Sequence, residues 1–302
     1  MIDMMTEKND QSSVAERIQE TNSQAGVAER IQEVNSQAGV AERMSKRLLT
    51  VAKMLGGAEN FRRVADVGCD HGYVSIYLVQ SGIAENALAM DVRKGPLAMA
   101  TGNVESFGLA GRIETRLSDG LEKLEPGEAD ALVIAGMGGK LMISILEKKS
   151  LSDLGIKYAV LQPQSDIDEF RQFLRDNGFA IVDENIVLED GKYYFPIKVK
   201  VTEDGRAGKA LGRAPLRLMD MPGPAAVADK LGIGEERDLE RICNCYGEIN
   251  ILKKDPLLEQ FLLHGRQVCG SIMKSLDKQS HSDRYNEVRQ EAEDIELLLK
   301  MF

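Results

Sequence analysis

The sequence predicts an α/β fold, in which a doubly wound, mostly parallel sheet precedes a C-terminal α-helical coiled-coil hairpin. Strand-like runs alternate with helical patterns over residues 42–177, and this order is typical of parallel sheets that carry helices on both faces. The run "ADALVIAG" at 129–136 is continuously apolar, as expected for a strand buried in such a sheet. From residue 258 onwards, apolar side chains recur at steps of three and four, which favours helices that pack along their length.

Each element of the sheet domain has its own signal. The pattern over 42–55 places apolar residues on one face of a helix, and Pro96 suits the first turn of a later helix. We expect strands at 63–68, 87–91, 112–119, 129–136 and 158–163. Four helices alternate with them: one that follows the first strand and ends near 82, one that begins at 96, and two that cover 138–148 and 165–177. The turn "EDGK" at 189–192 is expected to close the last two strands as a hairpin.

Composition divides the chain into four parts. A 13-residue unit occurs at 14–26 and again at 27–39, and 13 residues rotate a helix face by about 220°, so the copies do not share one buried stripe. We therefore interpret 1–43 as a duplicated extension, disordered or frayed helix, and Met44 as a candidate translation start. The other parts are a sheet domain at 44–201, a Gly- and Pro-rich connecting segment at 202–234 and a helical domain at 235–302.

Two apolar seams define the expected helical hairpin. The first comprises Leu258, Leu262, Gly265, Cys269, Ile272 and Leu276, and the second comprises Tyr285, Val288, Ala292, Ile295, Leu299 and Phe302. Such seams are typical of antiparallel helices of the coiled-coil type. They are compatible with a packing or dimer element as well as with a direct role in substrate binding, so both a monomer and a dimer through the helical tail stay open.

Composition also limits the class of protein. No run of about 18 apolar residues predicts a membrane span, and the acidic N-terminus lacks the apolar centre of a secretory signal. Four cysteines are too few for a disulfide framework, so we expect the cytoplasm. No metal site is expected, because Cys243 and Cys245 would point to different faces of a helix.

Polar residues collect where the predicted strands end. These places are Asp66–Tyr73, Asp91, Ser118–Gly120 and the "AGMGG" run at 135–139. Parallel sheets bind ligands at the carboxyl ends of their strands, so we expect one site there. Asp91 suits the two hydroxyls of a ribose, although sites for NAD place an acid there as well.

The loop after the first strand distinguishes between nucleotide ligands. Gly68 and Gly72 permit a tight turn, but Asp66 and Asp70 surround it, and no Lys or Arg lies between 64 and 92. Carboxylates disfavour a diphosphate and favour a cation, such as the sulfonium and ammonium groups of S-adenosylmethionine. Asp119, with Gly120 beside it, is then a candidate acceptor for the adenine amino group. Any one of these acids could instead be a turn or capping residue.

The end of the fourth strand reads "IAGMGG". We expect Gly136 and Met137 beside the cofactor, and Gly138 and Gly139 beside the substrate. The alternative is that these last two glycines serve close packing of a helix on the sheet.

A basic cluster lies near the start of the sheet domain. Residues 40–63 have a net charge of +4, although the whole chain has a net charge of −10, which argues against broad nucleic-acid binding. Arg43, Lys46, Arg47 and Lys53 are candidates for contacts with RNA phosphates. The alternative is a solvated helix face.

Five short motifs together resemble one family. "MSKRL", "DVGCDHGY", "SDGL", "IAGMGG" and "LQPQ", in this order, are similar to the bacterial tRNA (adenine-22-N1) methyltransferases over roughly 44–302. The resemblance implies a class I methyltransferase (Rossmann-like) fold, S-adenosylmethionine as cofactor and tRNA as partner. Three departures occur: "GYVS" at 72–75 stands where the family pattern has Ala-Tyr-Leu-Pro, Asp91 where it has Glu, and Gln164 where it has Asn.

The resemblance also suggests roles for single residues. Asp70 would stabilise positive charge on the adenine, hold the adenine amino group or bind the cofactor. His71 would relay a proton or have a structural role. Tyr73 would stack on the base, with Tyr193 and Tyr194 behind it. Gln162 and Pro163 are expected to contact the substrate. Two alternatives remain at this point: a methyltransferase of the same fold acting on a small molecule or protein, and a non-catalytic interaction protein.

Overall fold

The structure is a computed structural model that describes residues 39–57, 59–202, 218–276 and 282–302. Residues 44–302 form one compact unit, and the following description concerns that unit. The first repeat copy, nearly all of the second and the first half of the predicted connecting segment lie outside the described residues, so the interpretation of 1–43 stays a prediction.

Helices and strands alternate along the first half of the unit. In chain order the elements are α1 (Lys46–Leu55), β1 (Phe61–Val67), α2 (Tyr73–Gln80), β2 (Ala84–Asp91), α3 (Lys94–Ser106), β3 (Ile113–Leu117), β4 (Ala131–Met137), α4 (Gly139–Lys148), α5 (Leu151–Leu154), β5 (Tyr158–Pro163), α6 (Ile167–Asp176), β6 (Phe179–Glu184), β7 (Val187–Glu189), β8 (Lys192–Tyr194) and β9 (Ile197–Val201). The second half continues with α7 (Pro222–Leu231), α8 (Glu236–Tyr246), α9 (Glu248–Lys253), α10 (Pro256–Ser275) and α11 (Ser282–Leu299).

Seven strands form the main sheet in the order β3-β2-β1-β4-β5-β9-β6. All neighbours are parallel except β9, which runs antiparallel to both β5 and β6. The central strands are buried along most of their length, with Leu88, Leu132 and Ile134 at 0% exposure. The predicted doubly wound sheet is confirmed, and the strand order reverses between β1 and β4, where such sheets open a crevice.

The helix predicted from residue 42 begins later. Ser45 is its N-cap, and the Ser45 hydroxyl accepts a hydrogen bond from the Leu48 amide at 3.2 Å, so the regular helix α1 starts at Lys46.

The "EDGK" turn closes a smaller hairpin than the sequence predicts. Asp190 and Gly191 have φ of 49° and 73°, and two successive left-handed residues are typical of a two-residue hairpin turn. This turn joins β7 to β8, a separate two-stranded ribbon, while β6 and β9 pair with each other in the main sheet. The turn was therefore placed correctly, but the strands it joins leave the sheet.

The predicted connecting segment at 202–234 contains a helix. Residues 222–231 form α7, whose first position is a proline and whose C-cap, Gly232, has φ of 67°. Val227 and Ala228 of α7 are buried in the core of the helical region. Pro222 and Gly232, two of the residues that suggested a linker, are the start and stop signals of this helix.

The two C-terminal helices α10 and α11 pack against each other. Five predicted seam residues are buried: Leu258, Leu262, Cys269, Val288 and Ile295. At Gly265 a Cβ would lie 3.0 Å from Cδ1 of Ile295, which indicates a close approach of the helices. At the end of the seam Leu298, and not Phe302, is fully buried. A helical C-terminal hairpin is confirmed, whereas its coiled-coil geometry stays a prediction.

Candidate active site

A cavity of about 350 Å³ lies at the carboxyl ends of β1, β2, β3 and β4. Eleven of the predicted site residues line it: Arg47, Asp66, Gly68, Asp70, His71, Tyr73, Asp91, Asp119, Gly120, Gly136 and Met137. The structure therefore brings together residues that are up to 90 positions apart in the chain, because parallel strands end at the same edge of the sheet.

The loop after β1 is tied to the end of β2. The amides of Gly68 and Cys69 donate to the Met90 carbonyl at 2.8 and 2.9 Å, and the amide of Asp70 donates to Oδ2 of Asp91 at 3.3 Å. Gly68 and Asp70 have φ of 77° and 49°, so the turn is left-handed at both. These contacts hold the loop close to the ribose-binding position predicted for Asp91.

Gly72, predicted to permit a tight turn beside the cofactor, lies next to α3. It does not line the cavity, and a Cβ there would lie 3.1 Å from Cβ of Ala100 in α3. Its φ is 74°, a conformation that favours glycine. Gly72 therefore lets α2 begin close to α3, and its contact with a cofactor stays a prediction.

Asp66 is a buried carboxylate, one residue before the end of β1. It is 4% exposed, and its Oδ2 accepts a hydrogen bond from the hydroxyl of Ser75 in α2 at 2.7 Å. Burial raises the pKa of Asp66 to about 6, the Ser75 bond opposes this rise, and the charge of Asp91 adds to it. Sequence reasoning missed Ser75, although a hydroxyl in the otherwise apolar run "YVSIYLV" was a signal for a buried polar partner.

Asp91 ends β2 and is likewise 4% exposed. Its Oδ1 accepts from the amide of Arg93 at 2.8 Å, and the Arg93 side chain lies 3.5 Å from Asp91 and 3.8 Å from Asp70. A carboxylate has about four lone-pair positions, so Asp91 can accept further hydrogen bonds from a ligand. Arg93, which is 66% exposed and follows the cation-free segment 64–92, is a residue at the rim of the cavity that the sequence did not predict.

The three predicted catalytic residues share the lip of the cavity. The Asp70 side chain is 58% exposed and its Oδ2 lies 3.6 Å from Nε2 of His71. The rings of His71 and Tyr73 are stacked, with centroids 5.9 Å apart and an interplanar angle of 19°. The side-chain amide of Asn103 donates to the His71 carbonyl at 2.9 Å, which anchors this lip to α3.

The end of β4 forms the opposite wall. Gly136 has φ of 82°, and the Met137 side chain lies over the first loop, where a Cβ at Gly68 would overlap the Met137 methyl group. Gly138 and Gly139 do not line the cavity. A Cβ at Gly139 would lie 2.5 Å from the Ser165 carbonyl oxygen, so the structure supports the packing alternative for these two glycines.

Apolar residues complete the cavity. Val92 and Leu141 line it although they are 59% and 55% exposed, and Ile145 lies beside them. The Asp119 carboxylate is 58% exposed and lies 3.7 Å from Nζ of Lys148. A flat ring that binds here would cover exposed apolar surface and could offer a polar edge to Asp119.

The residues predicted to contact the substrate lie in different parts of the structure. Lys46 and Lys53 are exposed on α1 and do not line the cavity, while Arg43 belongs to the N-terminal unit, so its phosphate contact stays a prediction. Gln162 and Pro163 are both buried behind the wall of the cavity, because they belong to the central strand β5. Direct contact of Gln162 or Pro163 with a substrate is therefore not supported.

The aromatic residues expected behind Tyr73 lie elsewhere. The Tyr193 ring packs against Phe261 of α10, with centroids 5.2 Å apart, and the Tyr194 ring lies under the Arg47 guanidinium. Within the described ranges, no three His, Cys, Asp or Glu side chains are grouped so as to hold a metal ion.

A family model described as "Methyltransferase domain" matches residues 44–197. The tRNA (adenine(22)-N(1))-methyltransferase of Bacillus subtilis (strain 168) is 38% identical to this chain over 187 residues, which are 62% of this chain and 76% of that relative. The chain belongs to the tRNA (adenine(22)-N(1))-methyltransferase family.

Two solved structures extend the family likeness beyond the sheet. The Bacillus subtilis M1A22 tRNA methyltransferase TrmK has a TM-score of 0.64 and 27% identity, covering 85% of this chain and 98% of that one. A Streptococcus pneumoniae protein in complex with S-adenosyl-L-methionine has a TM-score of 0.65 and 27% identity, covering 85% of this chain and 99% of that one. Because 85% of the chain exceeds residues 44–197, the shared methyltransferase fold includes part of the helical region.

One departure from the family pattern has a structural consequence. Ser75 stands where that pattern has proline, and its hydroxyl is the hydrogen-bond donor to the buried Asp66. A proline has no hydroxyl and cannot make this bond.

Proposed function

We propose that this chain is an S-adenosylmethionine-dependent tRNA methyltransferase that methylates N1 of adenine 22. The observation that carries the proposal is that the Asp70-His71 loop and Ala135, Gly136 and Met137, the first three residues of the "AGMGG" run, line one cavity. Membership of the family, with 38% identity to the Bacillus subtilis enzyme, supports the substrate.

The residues present fit S-adenosylmethionine. Four carboxylates and two guanidinium groups line the cavity, a balance that favours a cationic ligand over a diphosphate. Asp91 would accept from the ribose hydroxyls, and Val92 and Leu141 would flank the adenine of the cofactor. Asp66, at the end of β1, would attract the cationic amino-acid part.

Methyl transfer to adenine N1 does not require a general base before the attack. S-adenosylmethionine supplies a methyl group on a positively charged sulfur, and N1 has an in-plane lone pair, so no proton has to leave before the attack. Positive charge then develops on the adenine, and the Asp70 carboxylate at the lip would stabilise it. The stacked rings of His71 and Tyr73 would hold the extruded base in line with the methyl group.

Contacts with the body of the tRNA are assigned to α1. Lys46 and Lys53 are exposed on this helix, and phosphate contacts of such residues contribute affinity that decreases with salt. We also place the protein in the cytoplasm, where tRNA is modified and where the four unpaired cysteines would stay reduced.

The deciding experiment is methylation of unmodified tRNA with labelled S-adenosylmethionine, followed by mapping of the modified base. We expect 1-methyladenosine at position 22, and no label in a tRNA that carries guanine there. Asp70→Asn should lower kcat by about 100-fold, the range of a lost electrostatic contact, while cofactor binding is retained. Absence of 1-methyladenosine in every tRNA offered would overturn the proposal in favour of a small-molecule methyltransferase.

A further inference from the structure

Arg47 is the basic residue of α1 that lines the cavity, and its guanidinium is engaged within the protein. The side chain is only 16% exposed. Its Nη1 donates to Oε1 of Gln162 at 2.7 Å, its Nε lies 4.0 Å from Oε2 of Glu189, and its guanidinium carbon lies 5.2 Å from the centre of the Tyr194 ring. Glu189 and Tyr194 belong to the β7–β8 ribbon, so this ribbon holds Arg47 against β5.

Gln162 connects Arg47 to β4 through hydrogen bonds. The residue is fully buried, and its Oε1 accepts from both Arg47 and the amide of Gly136, the latter at 3.2 Å. Its Nε2 donates to the Pro163 carbonyl at 2.7 Å. The two donors at Oε1 and the one acceptor at Nε2 fix which way the side-chain amide faces.

Gly136 is the place where β4 leaves its regular register. The pairing with β5 shifts between Ala135 and Met137, as in a β-bulge. A bulge takes a backbone amide out of the ladder, and the amide of Gly136, an exposed residue at the cavity, is then left to water or to a side-chain acceptor. Gln162 supplies that acceptor, and the bulge directs Gly136 and Met137 into the cavity.

We propose that Arg47 and Gln162 are positioning residues for methyl transfer, which act together through the Gly136 amide to fix the wall that faces the first loop. This inference rests on the proposed function, and it deepens that function at the same site. Arg47 then has a role different from that of Lys46 and Lys53, since it shapes the cavity and does not serve as a ligand for a tRNA phosphate.

The physical consequence of losing Arg47 follows from the hydrogen bonds. Without Arg47, Oε1 of Gln162 keeps a single donor, and the buried amide is free to turn away from Gly136. The bulge then loses its fixed acceptor, and Gly136 and Met137 shift relative to the reacting atoms. A displacement of this kind lowers kcat by about 10- to 100-fold, although no ligand contact has been removed.

Three variants test the pair. Arg47→Met keeps an unbranched chain over Tyr194, Arg47→Lys keeps the charge without the planar fork, and Gln162→Met removes the acceptor in the strand. We expect each to lower kcat by about 10- to 100-fold, with tRNA affinity changed less than threefold. The double variant Arg47→Met/Gln162→Met should be no worse than the poorer single variant, because the two residues act as one unit.

Lys46→Met provides the matched contrast on the same helix. It should weaken tRNA binding and reduce the slope of log affinity against log salt by about 0.7–0.9, the value for one phosphate contact. The Arg47 variants should leave this slope unchanged. Gln162→Glu, which keeps the acceptor oxygen, should recover part of the kcat lost in Gln162→Met.

Hydrogen exchange gives a readout that does not depend on methylation. A peptide containing residues 135–139 should exchange faster in Arg47→Met and Gln162→Met than in the unaltered protein, while thermal unfolding shows that both variants are folded. The inference is overturned if the Arg47 variants lose the salt slope and keep kcat, or if exchange at 135–139 is unchanged. A protein that shows the exchange effect but never methylates tRNA would contradict the proposed function alone.

Discussion

Asp66 is the residue at which binding and protonation are linked. Its carboxyl group is buried beside Asp91, and the pKa is raised to about 6 because the charged form loses solvation. A cationic ligand in the cavity would favour the carboxylate again. Ligand binding should therefore release a proton near pH 6 and should be weaker where the free protein already holds that proton.

The first prediction concerns this linkage. We expect the affinity for S-adenosylmethionine to be fully present above about pH 7 and to fall as the pH falls through about 6. The contribution of Asp66 to the stability of the free protein has the opposite sign: it increases as the pH falls from 7 towards 4, because the folded state binds the proton more tightly than the unfolded chain. Calorimetric titrations from pH 5 to 8 measure the first effect, and thermal unfolding measures the second.

Two variants serve as controls for the pH profile. Asp66→Asn should bind the cofactor more weakly and without the step near pH 6. Ser75→Ala should move the step to higher pH, because the Ser75 hydrogen bond lowers the pKa of Asp66. A profile that is identical in the unaltered protein and in Asp66→Asn would assign the titration to another group.

The contact between the β1 loop and the end of β4 belongs to the scale of elements. Gly68→Ala would introduce a methyl group that overlaps the side chain of Met137, at a φ of 77° that already disfavours alanine. We expect cofactor affinity to fall by about tenfold, equivalent to about 1.4 kcal/mol, and the double variant Gly68→Ala/Met137→Ala to recover part of it. Gly82→Ala, at φ 72° with open space around it, carries the backbone strain alone and should leave cofactor affinity unchanged. Calorimetry measures the cofactor affinity of the three variants. An equal loss of affinity in Gly68→Ala and Gly82→Ala would contradict the steric explanation.

Elements differed in how well the sequence predicted them. Strands β1 to β5 were located within about three residues. The interior strands β1, β2, β4 and β5 are mostly apolar, as buried parallel strands are, whereas the edge strand β3 has an alternating pattern. The ribbon β7–β8 has three residues in each strand, too few for an alternating pattern to separate it from the sheet. The bulge at Gly136 and the environment of Arg47 depend on Gln162 and Glu189, which are distant in sequence, and no local pattern contains that information.

At the scale of the whole molecule, a buried ion pair joins the sheet to the helical region. Nε of Arg171 in α6 lies 2.8 Å from Oε1 of Glu184 in β6, and both side chains are fully buried. Arg171 also donates to the carbonyl of Asn244 at 2.7 Å, near the end of α8, and Glu184 accepts from the amide of Ile249 at 3.0 Å, at the start of α9. A cation thus satisfies a helix C-terminus and an anion a helix N-terminus, as the helix dipoles favour.

The last prediction follows from this pair. Arg171→Met leaves Glu184 buried without its partner, and it should lower the free energy of unfolding by about 3–5 kcal/mol. The double variant Arg171→Met/Glu184→Met removes both charges and should recover much of that loss. Arg289→Met, which breaks an exposed pair with Glu293 on α11, is the matched control and should change the free energy by less than about 1 kcal/mol. Urea denaturation followed by circular dichroism gives these values.

The shape of the transition tests the same idea for the whole molecule. Residues 44–302 form one compact unit in which α8 and α9 are anchored through charges buried beside β6, so the sheet and the helices should unfold in one step. Hydrogen exchange in β6 and in α10 should then accelerate together in Arg171→Met. Two separate transitions, with α10 insensitive to Arg171→Met, would show that the helical region folds independently of the sheet. A single transition would show that the sheet and the helical region unfold cooperatively, as the buried charges between them lead us to expect.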